Sequence, residues 1–555
     1  MDRLKAIWRI AICGSLLSVV LALAVSAQDE NIPPLTLRAS THFVLLDVVV
    51  TAKNGDPVSG LHSEDFSLKE DGKVQKITSV NGPAAEAPSV VPALPPGVYS
   101  NAPVRRLAGA APTVIVIDAA NTSYQDQLYA RARMLKYLGD QYKPGQRIAV
   151  FTLTDKLSLL QDFTGDPQVL AASLKRFSAE TLTSMRSDPA GAPDVQELRV
   201  PTQVEYANLV SSLERFEKSQ AECTTNRRAE LTLEALRRIN RILGGLPGRK
   251  NVVWLTGGFP FALNPDISVS SQAEMKGVLR APFANPADPY GRGLPSPIRS
   301  LYGEQIREVA AHLATSQVAI YPVDVQGLIA SAGSRSIDRQ ESMREIAEET
   351  GGKAFVNQND IENGLALAER DRAATYTLGY YPSNKKFDHK YRSIELKVNR
   401  SGIETTYRRG YFPEDTFSGN PEQFDGSLAE AWHDGAPDTL VTFEAKLNAI
   451  GDGKTRVEFL VDPRTISFTE DSSGRKLDVG FYVAACSSDD KILAVKEARL
   501  NRSFTSQIYQ QIAKEGMYLH LDVDAVAGAN GFRVAVRDNR TGYIGTLTAQ
   551  LVTKP

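Results

Sequence analysis

Residues 112–118, PTVIVID, form an apolar run without polar alternation, and a polar stretch, AANTS, leads from it into a segment with helical spacing. A strand that is apolar at every position has both faces buried, so helices must cover the sheet on both sides. Such runs recur at Arg147–Leu153, Asn251–Thr256 and Val318–Asp324. Leu157–Phe163 follows the second run closely enough to pair with it, and Lys353–Val356 reads as a last short strand. Between them lie helical patterns. Gln125–Gln141 carries Leu128, Ala132, Leu135 and Leu138 at helical spacing, and Asp166–Phe177, Glu304–Ala314, Ser342–Thr350 and Ile361–Arg370 follow. Residues 203–244 contain no Gly or Pro before Gly244, which predicts one long helix or two in series. Residues 113–372 therefore read as a doubly wound, Rossmann-like α/β domain with a mostly parallel sheet.

The flanks carry strand signals instead. HFVLLDVVVTAKNGDPV and DFSLKEDGKVQKITSV in 37–81, and ATYTLGYYP, YRSIELKVN and IETTYRRGYF in 373–412, alternate and break at Asn-Gly, Asp-Gly and Ser-Gly turns. Each segment is small to be stable alone, which predicts that the two pack as one discontinuous β domain with the α/β domain inserted. Residues 82–112 hold seven prolines and read as an extended linker. A joint spans 413–437. About seven strands in 438–555 predict an all-β, Ig-like sandwich.

Arg3, Lys5 and Arg9 precede an apolar run from Ile10 to Val25, and Val25-Ser26-Ala27 offers a small-residue cleavage site. Residues 1–27 are thus expected to be a signal peptide, which places the protein in the periplasm or outside the cell, with no membrane span after cleavage. Cys223 and Cys486 are expected to be free, buried thiols, since two distant cysteines make no disulfide framework. The net charge of -2 gives no reason to expect nucleic acid as a partner. The six histidines show no ligand spacing, and no hydrolase elbow or phosphate loop occurs. Tyr376, Tyr380, Tyr381 and Tyr391 read as sheet packing.

PTVIVIDAANTS and GRKNVVWLTGGFP resemble the first strand with its metal loop, and the fourth strand with its following loop, of a von Willebrand factor type A domain. VVVTAKNGDPVSGLHSEDFSLKEDGKVQ, LPGRKNVVWLTGGFP and YTLGYYPSNKKFDHKYRSIELKVNRSGIETTYRRGYF are similar to a group of secreted bacterial proteins, common in acidobacteria, that couple such a domain to flanking β segments. The resemblance covers 40–412. It implies ligand binding rather than catalysis, through a Mg²⁺ or Mn²⁺ ion held by an Asp-x-Ser-x-Ser loop, a threonine and a second aspartate.

This chain departs from that pattern. Asp118 and Thr122 keep their positions, but Ala120 replaces the first serine and Gly257, in Thr256-Gly257-Gly258, replaces the usual aspartate. Asn121 and Asp155 are the substitutes at hand. Thr232 stands for the threonine, inside a helix where its hydroxyl is expected to bond to the preceding turn. The expectation is no cofactor, or weak Mg²⁺ or Mn²⁺ at a degenerate site of Asp118, Asn121, Thr122 and Asp155. Asp118 would instead cap its turn, in which case Asp118→Asn should cost little. The ligand face would comprise Thr256, Gly257, Gly258, Phe259 and Phe261, at the head of a long connection over 257–300. The function expected is that of an exported, non-enzymatic interaction or adhesion protein with an unknown protein partner in the envelope or outside the cell. The alternatives are an envelope component with an inert type A scaffold, and a hydrolase.

Overall fold

A computed structural model describes residues 43–83, 94–102, 112–142, 145–177, 204–260, 297–326, 334–359, 361–386, 388, 390–413, 428, 431–432, 436–451, 453–471 and 474–550, with side chains of 204–222, 297–304, 334–339 and 470–471 left out. The expected signal peptide, Phe261 and most of the 257–300 connection lie outside these residues.

The chain opens with β1 (Val44–Ala52), β2 (Phe66–Glu70), β3 (Lys73–Gln75) and β4 (Ile77–Asn81). Their partners come from the far side of the α/β block: β11 (Thr375–Tyr380), β12 (Arg392–Val398), β13 (Ile403–Tyr407) and β14 (Gly410–Tyr411). Two four-stranded sheets result, ordered β13-β1-β11-β4 and β14-β12-β2-β3. Alternation supplies their shared core, with Leu46, Val48, Val50, Phe66, Leu68, Tyr376, Leu378 and Tyr380 turned inward. Tyr381 and Tyr391 face outward, so the tyrosine series is only half packing.

Within the block lie β6 (Pro112–Asp118), β7 (Arg147–Leu153), β8 (Leu157–Thr164), β9 (Lys250–Thr256) and β10 (Val318–Asp324), in sheet order β10-β9-β6-β7-β8. All neighbours are parallel except β7 and β8. The helices are α1 (Tyr124–Asp140), α2 (Pro167–Arg176), α3 (Val204–Leu243), α4 (Pro297–Thr315), α5 (Ser334–Thr350) and α6 (Ile361–Ala373). Val114, Val116, Val252 and Trp254 meet α3, α4 and α5 on one face. Ile115, Ile117, Val253 and Leu255 meet α1, α2 and α6 on the other. Ser123 caps α1, and Asp166 with Pro167 starts α2. The buried stripe of α1 is Gln127, Ala130, Met134, Tyr137 and Leu138, displaced from the one read in sequence because Gln127 turns its amide to the loop before the helix. Lys353–Val356 is not a strand: only Phe355 bridges, to Val323.

The C-terminal region comprises β15 (Phe443–Ala449), β16 (Lys454–Val461), β17 (Thr469–Asp471), β18 (Gly474–Cys486), β19 (Ile492–Phe504), α7 (Ser506–Glu515), β20 (Met517–Asp524), β21 (Gly531–Asp538) and β22 (Ile544–Gln550). One sheet runs β20-β16-β15-β5, its last member β5 being Val98–Ser100; the other runs β17-β18-β21-β22, with β19 beside β18. Phe443, Phe459, Phe481, Val534 and Val536 fill the space between. Two expectations need correction here. Helix α7 interrupts the strands. The stretch read as a linker supplies β5 (Val98–Ser100), which pairs with β15. Asn101 then binds the sandwich, its Nδ2 donating to the Asp438 and Val441 carbonyls at 2.9 and 2.8 Å. Proline punctuates this stretch but leaves 97–102 free of it, enough for a short edge strand.

The sandwich docks on the end of α3. The buried Arg238 guanidinium pairs with the Asp438 carboxylate, and Thr439 Oγ1 donates to the Ile242 carbonyl at 2.9 Å. Cys223 and Cys486 are both free, but Cys223 is exposed because it falls on the outer side of α3.

Candidate functional site

The chain leaves β6 for α1 on one face of the sheet and enters β9 from α3 on the other, so the topology switches between β6 and β9. Open α/β sheets bind ligands at the carboxyl ends of such strands. Asp118 ends β6 there, fully buried. Its Oδ1 accepts the Asn121 backbone N–H at 3.0 Å, which ties the turn into α1. Asn121 Nδ2 reaches Oδ2 at 2.9 Å and also donates to Thr232 Oγ1 at 2.9 Å. Thr232 Oγ1 donates in turn to the Arg228 carbonyl at 2.8 Å. From β9, Trp254 Nε1 donates to Oδ2 at 3.0 Å.

The structure thus brings together Asp118, Asn121, Thr122, Thr232, Thr256, Gly257 and Gly258. Thr122 Oγ1 accepts the Gly257 N–H at 2.9 Å, and Thr256 Oγ1 accepts that of Gly258 at 3.1 Å. Phe259 is buried with its ring edge-on to Trp254, centroids 5.7 Å apart. Asp155 is exposed and takes its hydrogen bond from Thr154 Oγ1 at 2.9 Å, outside this network. Asp324 stands two strands from β6 and accepts the Gln326 N–H at 2.9 Å.

A hard divalent cation needs oxygen lone pairs converging on one point. Around Asp118 the convergent groups are hydrogen-bond donors: two N–H groups from Asn121, one from Trp254 and the Thr256 hydroxyl. The missing second carboxylate has no room either. A Cβ on Gly257 would lie 2.8 Å from the Asn121 carbonyl oxygen and 3.3 Å from Gln326 Nε2. The loop after β6 occupies the place that an aspartate at 257 would need. The residues present do not fit Mg²⁺ or Mn²⁺. Burial pushes the Asp118 carboxyl above the ordinary aspartate range, and hydrogen bonds from Asn121, Trp254 and Thr256 pull it partly back.

Sequence reading missed Trp254 and Gln127. Gln127 Nε2 donates to the Thr122 and Ala119 carbonyls at 2.7 and 3.2 Å, fixing the loop from beneath. The available signal was Trp254 itself. An indole in the middle of a buried parallel strand must place its N–H on a nearby acceptor.

No family model and no curated protein sequence matches the chain. Among solved structures it is similar to an aerotolerance-related membrane protein from Bacteroides fragilis, at 13% identity over 47% of this chain and 98% of that one, TM-score 0.25. It is similar to the vWF domain of the type V pili tip protein Mfa5 from Porphyromonas gingivalis, at 12% identity over 47% and 94%, TM-score 0.26. A von Willebrand factor type A protein from Catenulispora acidiphila aligns over 92% of this chain and 72% of its own, at 11% identity and TM-score 0.22. Likenesses of this size carry no argument about what the chain binds. No helix among the described residues is long and apolar enough to cross a membrane.

Proposed function

We propose that this chain is an exported, non-enzymatic protein-interaction protein. Its α/β block, on this reading, is a type A-like domain whose metal loop has become a metal-free structural element. The observation that carries the proposal is the saturation of Asp118 by Asn121 and Trp254, with the backbone of the same loop closed over Gly257. A carboxylate so enclosed is fully buried with both oxygens already accepting hydrogen bonds, and presents no exposed oxygen to a substrate. It can hold the loops of the switch point in one shape. Recognition then falls to surfaces other than a bound ion.

The test is capture of partners from envelope extract by the full chain, in EDTA and in Mg²⁺. A specific partner retained equally in both is expected. Loss of capture in EDTA would return the site to cation-dependent adhesion. Enrichment of nothing specific would favour an inert envelope scaffold.

A further inference from the structure

Strand β19 is an edge. Over its 13 residues it pairs, among the described residues, with β18 alone. Long exposed edges invite pairing with another chain. The side chains here have a two-faced pattern. Ala498, Leu500 and Phe504 lean toward the sandwich core, so Lys496 and Arg502 stand on that same side, and both are exposed. The alternate residues include Val495, 51% exposed, and beyond the bulge opposite Cys486 the same face continues with Ile492. Val495 lies opposite Ala484, which belongs to the apolar patch under Trp432. The patch therefore continues to the edge, uncovered among the described residues. Arg499 is already engaged with Asp478 at 2.8 and 2.6 Å, and Glu497 is the single acid of the strand. Lys496 and Arg502 have no ion pair among the described residues.

We infer that β19 receives an extended acidic segment of a partner protein by strand addition, a reading that rests on the interaction role proposed above. The partner strand would set an apolar side chain beside Val495 on one face. It would set carboxylates beside Lys496 and Arg502 on the other, about 20 Å apart at strand rise. Strand addition of this kind takes affinity from the main chain and specificity from alternate side chains. A second copy of this chain is the poorer occupant, because like charges placed across a strand pair repel.

The test uses the full chain and a capped synthetic peptide of alternating valine and glutamate, with a valine–lysine peptide as control. Calorimetry should show binding of the glutamate peptide alone, and hydrogen exchange should show new protection confined to 492–504. The double variant Lys496→Glu, Arg502→Glu, with an unchanged melting temperature, should bind it at least tenfold more weakly and gain affinity for the lysine peptide. Absence of binding, equal binding of both peptides, protection elsewhere, or peptide-independent dimers through β19 would each overturn the inference. If the double variant still captures the envelope partner, the inference fails while the interaction role stands. If wild type captures nothing, the role itself fails.

Discussion

Trp254 Nε1 donates to Asp118 Oδ2 at 3.0 Å, between the two strands that flank the switch point of the sheet. An indole therefore occupies one side of the carboxylate that a type A metal site would leave to oxygen ligands. Trp254→Phe should remove the donor while keeping an aromatic ring. A hydrogen bond to a charged group contributes about 1.5–3 kcal/mol, and denaturant unfolding should register a loss of that order. A variant as stable as wild type would show that the contact is incidental.

Asp118 uses both oxygens, and this changes the expectation for its amide. A carboxamide presents only one acceptor oxygen, so Asp118→Asn turns an NH₂ toward either Asn121 or Trp254. Leaving one such buried group unsatisfied costs about 1–3 kcal/mol, and Asp118→Ala, which strands several donors, should cost more. Both losses are measurable by chemical denaturation. The sign of the pH effect follows from the raised carboxyl. The unfolded chain releases this proton first, so wild type should lose stability relative to Asp118→Asn as pH rises above about 4, and then level off.

Introducing the residues of the type A pattern should not create a metal site. Gly257→Asp has to displace the Asn121 carbonyl, and overpacking of this kind costs about 1–3 kcal/mol. With Ala120→Ser added, titration calorimetry should still show no Mg²⁺ or Mn²⁺ binding tighter than millimolar. A Mg²⁺-dependent rise in melting temperature of the double variant would refute the closed-site reading.

Lys250 is buried at the start of β9, with its amine donating to the Leu246 carbonyl at 2.8 Å. Burial pulls its pKa down to about 7, opposed by Asp47. The unfolded chain takes up this proton near pH 10, and the folded chain only near 7. Stability should therefore fall by up to about 1.4 kcal/mol per pH unit as pH drops through that window, then flatten. Lys250→Met should remove this component of the slope and be more stable than wild type at pH 7.

Arg238 and Asp438 join α3 to the C-terminal sandwich as a fully buried ion pair. Removing one partner of such a pair leaves a charge without compensation, at about 3–5 kcal/mol. Asp438→Ala should unfold at lower denaturant by that amount. Arg238→Met with Asp438→Leu should recover most of the loss.

The parts of this fold that sequence makes legible are those in which burial is uniform. β6, β9 and β10 are buried at every residue, so their apolar runs announce themselves. β5 was not legible, because three residues after a proline-rich stretch carry no period, and their partner β15 lies beyond the whole α/β block. At the site, the departures at Ala120 and Gly257 are visible in sequence. What surrounds Asp118 is not, because Trp254 reaches it across a strand pair whose register only the fold supplies. Asp155 failed as a substitute for a related reason. Its position just past β7 fixes its neighbourhood but not the direction of its side chain.

The pairing of β1 with β11 has a consequence for how the chain acquires its shape. Thr377 and the Asp47 it binds lie 330 positions apart, and Asn101 waits 337 positions for Asp438. The α/β block can close on contacts of its own, but both sandwiches hold strands made before it and completed only after it. Pairings of such long range are slow to form, and until then the early strands stand with open edges. The inserted block shortens the search at one end, since its last helix α6 leads directly into β11. Each sandwich is thus a late event, and a chain cut short before Thr375 leaves β1 to β4 as a persistent target for aggregation or for a chaperone.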